Sequence, residues 1–582
     1  MSLPANSTRL HGGLQRSLLQ PDPRPDGWEE RIEPKGVVYT KPWVASLLLD
    51  LAGYCADVDL TQRLVVEPAA GHGAFLRPMI ERLVASCRRF GHSPEALATS
   101  LVAFELNAAS AQAAGAAARD TLIGLQVDAR LAKQLAATWV RCGDYLLESM
   151  DIAADWVVGN PPYVRLEEIP ESQAAHYRQT YQTMGGRADL YIAFFEAALR
   201  QLKPGGACAF ICADRWMRNQ YGAELRRLIT SSFAVEVIVE MHQADAFHDE
   251  VDAYPAISVL RRQPQATAVV ASANGEAAAN AATVLATFIR SAATSTASAV
   301  FAEGKTLSHA GISAAKVDGW FQGADPWPCT SPAQLALLRR LEDLFQPVEF
   351  GNTRVGIGVA TGADRVFITR DPEAVEADRL VRLAMAKDLA GGTLHWSEHY
   401  MVNPWSPQEG LVDLRRYPRL RAYFEAHREQ LGGRHTARKS PENWYRTIDR
   451  VDHALTTTPK LYVADIKERL IPVLDRGETY PHHNLYFIVS EDWDLEVLGG
   501  LLLSDVAQFF VASYGVRMRG GYFRFQAQYL RRIRLPTPAS LSKSQTTALM
   551  RAFRQRDADA ATAIALAVYG IEKREMEIAL GR

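Results

Sequence analysis

The chain has 582 residues, of which 48% are apolar and 22% charged, with a formal net charge of −2. That length exceeds what one hydrophobic core holds, so two or three domains are expected, and the composition excludes a disordered or fibrous chain. Near-neutral charge excludes a uniformly basic surface, so any polyanion partner must be met by a local patch.

Residues 1–35 read as an N-terminal arm whose opening stretch, MSLPANSTRLHGGLQRSLLQ, lacks the apolar run of a signal peptide. No stretch reads as a membrane span, so a cytoplasmic location is expected. Six cysteines without a CxxC pair fit a reducing compartment and argue against structural zinc.

From 36 to 265, strand-length apolar runs alternate with helix-length stretches, the pattern of a parallel α/β sheet. Strands are expected at RLVVEP, SLVAFEL, DWVVGN, ACAFICA, VEVIVEM and AISVLRR. Ligands of such sheets sit at the carboxyl ends of the strands. The first end reads VVEPAAGHGAFL. There Glu67 closes the strand, Ala69 follows, and Gly71 and Gly73 let backbone approach a ligand before a helix begins. The third glycine of a dinucleotide fingerprint is missing, and a glycine pair alone is equally a tight turn. The next strand ends in Glu105, where an acid typically holds ribose hydroxyls, and RCGDYLL places Asp144 at the same edge. Each acid singly could be a solvated helix cap. Three in succession suggest a nucleoside-bearing cofactor whose ribose and base amino group need acceptors. Glu67 would repel a pyrophosphate, which disfavours a dinucleotide.

The fourth strand ends in Asn160-Pro161-Pro162-Tyr163. At usage of roughly 5% per residue, such a string arises by chance about 0.004 times in a chain this long. The two prolines fix the backbone and remove N–H donors, so the Pro161 carbonyl and the Asn160 side-chain oxygen can both point into a pocket. Two rigid acceptors match one exocyclic amino group, and Tyr163 offers a flat face to a planar base. The competing reading is a rigid turn after a buried strand.

Residues 266–310, dominated by Ala, Ser and Thr, read as a linker or insertion. Residues 311–540 are richer in Trp, Tyr, Arg, Gly and Pro and lack a βαβ rhythm, which suggests a second, mixed domain. Within it, YGVRMRGGYFRFQAQYLRRIRLP interleaves Arg517, Arg519, Arg524 and Arg531 with aromatics and contains no acid. That suits phosphate and base-edge contact, or simply an Arg-rich sheet face. His482 and His483 have no third ligand at metal spacing, so no metal site is expected. Asp452, Asp465 and Lys467 only loosely match the acid-acid-lysine spacing of a magnesium nuclease. Residues 541–582 are expected to be helical.

These motifs resemble those of the amino-methylating DNA methyltransferases of restriction-modification systems. The likeness is to the adenine-N6 gamma group, in which the cofactor motifs come first and a target-recognition domain follows. It is specific over residues 36–262 and looser over 340–540, where GGRHTARKSPENWYR and RVGIGVATGADRVFI also resemble recognition segments. The resemblance implies a Rossmann-like S-adenosylmethionine-dependent methyltransferase domain plus a mixed α/β target-recognition domain. It implies S-adenosylmethionine as cofactor, double-stranded DNA as partner, and a separate cognate endonuclease for any cleavage.

Residue by residue, the stretch holding Thr40 resembles the leading motif that touches the methionine end of the cofactor. Glu67, Ala69, Gly71 and Gly73 fall in the methionine-binding loop, Glu105 at the ribose acceptor, and Asp144 at the acceptor for the cofactor's adenine. Asn160 would face both cofactor and target, and ADAFHDEVDAYPAISVL offers Phe247 as a second aromatic beside the target base, or as a core residue. By this scheme Asn160 and the Pro161 carbonyl accept the two N–H groups of adenine N6 and aim its lone pair at the methyl group. Pro162 holds the turn rigid and Tyr163 stacks on the flipped base. Adenine rather than cytosine-N4 rests on Asn, not Ser, heading the motif. The alternatives are an RNA or protein-glutamine methyltransferase and a non-catalytic DNA-binding protein, which duplex-DNA binding and methyl transfer would discriminate.

Overall fold

The computed structural model describes residues 38–186, 188–248, 254–275, 285, 307–309, 312–328, 330–408, 410–515 and 521–580. The arm at 1–35, most of 276–306, and Arg517 and Arg519 of the expected DNA-contacting stretch lie outside the described residues.

Strands β1 (Val65–Glu67), β2 (Leu101–Glu105), β3 (Val140–Cys142), β4 (Ala154–Gly159) and β5 (Leu202–Ala213) run parallel in the order β3-β2-β1-β4-β5. The sheet then continues through β7 (Pro255–Arg261), antiparallel to both neighbours, and β6 (Ala234–Ala244). This is the expected Rossmann-like fold. Along each strand, alternate residues enter opposite cores: Val65, Ala103, Trp156 and Val158 pack on one face, Val66, Phe104, Val157 and Phe210 on the other. Helices cover both faces, so the strands are continuous apolar runs rather than alternating ones. On the first face lie α1 (Pro42–Ala52), α2 (Leu76–Arg89), α3 (Ala108–Gly124) and α4 (Ala129–Trp139). On the second lie α5 (Tyr145–Glu148), α6 (Glu171–Thr180) and α7 (Tyr191–Gln201).

The linker reading of 266–310 is corrected at both of its ends. β8 (Ala268–Gly275) pairs parallel with β6, β10 (Ile312–Val317) pairs antiparallel with β8, and β9 (Leu307–His309) pairs with β10, extending one sheet to ten strands. Val269 and Ala271 enter one core while Ala268 and Val270 enter the other. Small side chains need little volume, so composition imitates a linker where backbone pairing makes strands.

In the second domain, Thr353–Ile357, Leu485–Ser490, Lys460–Ala464 and Val473–Asp475 form a four-stranded antiparallel sheet. A second four-stranded sheet holds Leu380–Ala384 and Tyr400–Val402. The expected C-terminal helices form at Lys543–Gln555, Ala558–Tyr569 and Lys573–Leu580 and share one core with Leu495–Leu503 and Asp505–Tyr514. There Gly499 is a close-packing position, since a Cβ would fall 2.4 Å from the Phe553 ring. Among the described residues, no single helix is long and apolar enough to cross a membrane.

The two domains meet at the segment after β5. Arg218, only 8% exposed, donates to the Gly515 carbonyl at 3.3 Å, and Tyr529 donates to Asn219 Oδ1 at 3.4 Å.

Candidate active site

The carboxyl ends of β1, β2 and β4 open into one pocket, lined in part by Glu67, Ala69, Gly71, Glu105, Asp144 and Asn160. Close backbone approach builds it. A Cβ at Gly159 would lie 3.1 Å from Pro68 Cδ, so the glycine lets the end of β4 nestle against the end of β1 and sets Asn160 beside Glu67.

The glycine loop is tied down by the next strand's acid. Gly71 takes a left-handed φ of 53° and donates its N–H to Glu105 Oε2 at 2.8 Å, while Glu105 Oε1 accepts from Asn107 N at 2.9 Å. Each oxygen keeps a lone pair for a ligand hydroxyl. Gly73 does not line the pocket. Its φ of 89° turns the chain, and a Cβ there would press on Ala117 of α3 at 3.3 Å, so its role is loop geometry and helix packing.

Glu67 is fully buried and neither carboxylate oxygen has a partner. Burial, and then the charge of Glu105, push its carboxyl well above the ordinary range. An orphaned buried acid on a pocket wall is a strong draw for a cationic or hydrogen-bond-donating ligand.

Asp144 is a helix cap, as the bland reading had it, but a buried one at 4% exposure. Its Oδ1 accepts from Leu146 N at 2.9 Å, and its Oδ2 accepts from the Tyr177 hydroxyl at 2.6 Å. Tyr177 and its helix neighbour Gln173 line the same pocket, together with Ile169. No local signal marks them, because ESQAAHYRQT is an ordinary helical stretch and only its docking makes it part of the site.

Asn160 is oriented by two donations from its Nδ2, to Val38 O and to Thr40 Oγ1, each at 3.1 Å. A backbone carbonyl accepts only, which fixes which end of the amide faces it. The side-chain Oδ1 is thereby turned away, buried and without a partner. Pro161 and Pro162 line the pocket beside it. Tyr163 is partly buried and does not line the pocket. Its ring stands 6.4 Å from Tyr191 and 6.5 Å from Phe247, edge-on to both, and its hydroxyl is buried without a partner. Phe247 reaches this place through a short antiparallel pairing of Thr40 with Phe247, flanked by Lys41 N to Ala246 O and His248 N to Tyr39 O, each at 3.0 Å. It belongs to the core packing and its ring also stands at the edge of Tyr163.

The Arg-rich stretch is less basic in space than in sequence. Arg524 is bound by Asp465, and Arg531 by Glu349 at 3.0 Å with a further donation to Val355 O at 2.7 Å. These acids come from elsewhere in the domain, so an uncompensated basic patch is corrected to a set of ion pairs. Arg524 and Arg531 still border a cleft between the domains, with Arg215, Gln220, Gln528 and Ile357. Asp465 is thus engaged, and Asp452 lies 3.5 Å from Arg354, so the loose nuclease spacing does not assemble. His482 and His483, which have no third ligand at metal spacing in the sequence, have Asp364 as a spatial neighbour, which the fold brings across from 118 residues away.

Residues 132–247 match the family described as Eco57I restriction-modification methylase, and 413–535 match the TaqI-like C-terminal specificity domain. The type II methyltransferase M.PaeR7I of Pseudomonas aeruginosa is 42% identical over 94% of each chain. M.XhoI of Xanthomonas vasicola is 39% identical over 94% of this chain and 98% of its own, and M.BstVI of Geobacillus stearothermophilus is 37% identical over 93% and 97%. Among solved structures, the type IIL restriction-modification enzyme MmeI in complex with DNA superposes on 93% of this chain and 73% of its own, with a TM-score of 0.50 at 13% identity, a likeness of fold. A methylase sheet, a specificity domain and full-length identity to three such enzymes agree: the chain belongs to the type II DNA methyltransferases of restriction-modification systems.

Proposed function

We propose that the protein transfers a methyl group from S-adenosylmethionine to N6 of an adenine flipped out of double-stranded DNA. The observation that carries this reading is Asn160 Oδ1, a buried acceptor without a partner, held in place by two donations from its own amide nitrogen.

S-adenosylmethionine, when bound, supplies a methyl already activated on a sulfonium. The donor set fits it. Glu67, buried and unpartnered, suits its cationic methionine end, Glu105 has lone pairs for ribose hydroxyls, and Asp144 with Tyr177 borders the nucleoside side of the pocket. Adenine N6 is a poor nucleophile because its lone pair is delocalised into the ring. Asn160 Oδ1 and the Pro161 carbonyl would each accept one N–H and hold the nitrogen toward tetrahedral geometry. No base is needed before attack, so positioning and preorganised electrostatics carry the rate. Tyr163 and Phe247 supply aromatic surface that offsets part of the few kcal/mol spent on unstacking the base.

Arg524 and Arg531 border the interdomain cleft in which we place the duplex, and a separate endonuclease would supply cleavage of unmodified sites. Sequencing plasmid DNA at single-molecule level from a methylation-deficient host, with and without the protein, tests the reaction. One N6-methyladenine motif is expected. Its absence from a host making folded protein overturns the adenine reading.

A further inference from the structure

The turn at 481–484 and the loop at 358–363 are laced together by backbone. Val359 N donates to Pro481 O at 2.9 Å, His483 N to Val359 O at 3.0 Å, and Gly358 N to Leu485 O at 2.9 Å. Gly358 packs so closely that a Cβ would stand 2.2 Å from His482 O. This lacing brings one ligand atom each from Asp364, His482 and His483 within 4.8 Å of one another. We infer that these three residues form a divalent-cation site of the zinc class, which pins the loop to the turn.

Two of the three ligands are aimed by neighbours. His482 Nδ1 lies 2.9 Å from Asn484 Oδ1, which places the ring proton on Nδ1 and leaves the Nε2 lone pair facing Asp364 Oδ2 at 3.2 Å. Asp364 Oδ1 is taken by the Thr361 hydroxyl, which leaves Oδ2 for the shared point. A lone pair and a carboxylate oxygen facing each other repel unless a cation lies between them. Such partner-fixed imidazole and carboxylate ligands are the usual support of a metal site. Donors about 2.0–2.2 Å from one zinc ion stand roughly 3–4 Å apart; the His482 and Asp364 atoms stand 3.2 Å apart, and all three ligand atoms lie within 4.8 Å of one another.

His482 is buried while His483 is exposed, which leaves an entry path, and the two rings pack with centroids 4.0 Å apart. Asp449 and Asp465 add negative potential at His483. Two imidazoles and one carboxylate select zinc and its transition-metal neighbours over magnesium or calcium, which prefer all-oxygen shells. The competing account is a proton in place of the metal, giving an imidazolium–carboxylate pair in which His483 has no part.

Full-length, tag-free protein stripped with a chelator decides between them. Co2+ alone, added at one equivalent, is expected to bind once per chain with visible d–d absorption, to be displaced by Zn2+, and Zn2+ is expected to raise Tm. His483→Ala, at an exposed position, and Asp364→Asn should both lose the spectrum while keeping the wild-type circular dichroism. Asn484→Ala should weaken binding on the order of 10- to 100-fold, as loss of a ligand-orienting partner does. A wild-type protein that binds neither ion at one equivalent overturns the inference, and so does binding that survives His483→Ala.

Discussion

The side-chain nitrogen of Asn160 donates to Thr40 Oγ1 at 3.1 Å, across 120 residues of chain. That bond, with its partner to Val38 O, decides which way the amide faces and so whether Asn160 offers its oxygen as an acceptor. Asn160→Ala is expected to lower kcat about 100- to 1,000-fold, the loss typical of one preorganised hydrogen-bonding group. Thr40→Val removes one of two orienting bonds, worth about 1 kcal/mol, and should cost roughly fivefold. Steady-state methylation of a plasmid substrate, with cofactor binding measured in parallel, checks both. Equal losses for the two variants would contradict the orienting role.

Glu67 gives a pH dependence with a definite sign. Burial raises its carboxyl in the folded protein, so the group destabilises the fold as pH climbs from the unfolded range toward its folded value. Glu67→Gln should therefore raise the Tm of the cofactor-free protein near neutral pH by a few degrees. A cationic ligand prefers the ionised acid, so wild-type affinity for S-adenosylmethionine should rise with pH and then level off, whereas the variant binds weakly and without that slope. Calorimetry in buffers of different ionisation enthalpy would read the released proton directly.

Tyr163 separates ring from hydroxyl. Its oxygen is buried without a partner, so Tyr163→Phe removes nothing that is satisfied and should change stability by less than about 0.5 kcal/mol, with near-normal methylation. Tyr163→Ala removes the ring that we propose stacks on the flipped base; such stacking is worth about 1–3 kcal/mol per base, so the variant should raise KM for DNA or lower kcat accordingly. A base analogue that fluoresces when unstacked, placed at the target, follows the flipped population.

His242 ties the end of β6, from which the Phe247 segment departs. It lies 3.0 Å from Asp214 and 2.8 Å from Glu240, with Arg218 3.1 Å from the same Asp214 oxygen. Burial works to lower its pKa, but the bonds and charges of Asp214 and Glu240 outweigh that and hold it up to about 9. The imidazolium therefore adds stability that is full below the ordinary value of 6.5 and is lost as pH rises through about 9. Thermal melts from pH 6 to 10 should show this decline in the wild type and a flatter profile in His242→Gln.

Arg531 tests the cleft. If it meets a phosphate, Arg531→Gln should reduce the slope of log affinity against log salt by about 1. Its carboxylate partner Glu349 competes for the same guanidinium, so Glu349→Gln should leave that slope intact or steepen it. Filter-binding or fluorescence titrations over a salt series distinguish the two. An unchanged slope in Arg531→Gln reduces Arg531 to an internal ion pair.

The local determinants of this protein were legible in its sequence. The sheet's apolar runs, the glycines at positive φ, the acids closing β1 and β2, and the Asn-Pro-Pro-Tyr turn each state a backbone requirement within a few residues, and such requirements constrain residue type directly. What escaped depends on partners far along the chain. The strands Ala268–Gly275, Leu307–His309 and Ile312–Val317 were hidden because small residues carry little pattern of their own and pairing orders them, β8 on β6, β10 on β8 and β9 on β10. The arginine stretch looked uncompensated because Asp465 and Glu349 lie 59 and 182 positions away. Tyr177 joined Asp144, and Asp364 joined His482 and His483, only through packing. The sequence alone determined the chemistry on offer, since residue type and local turn geometry are written in it. Tertiary structure decided which of those groups are buried, which are already partnered and which face an open pocket, because desolvation and pairing are set by non-local contacts.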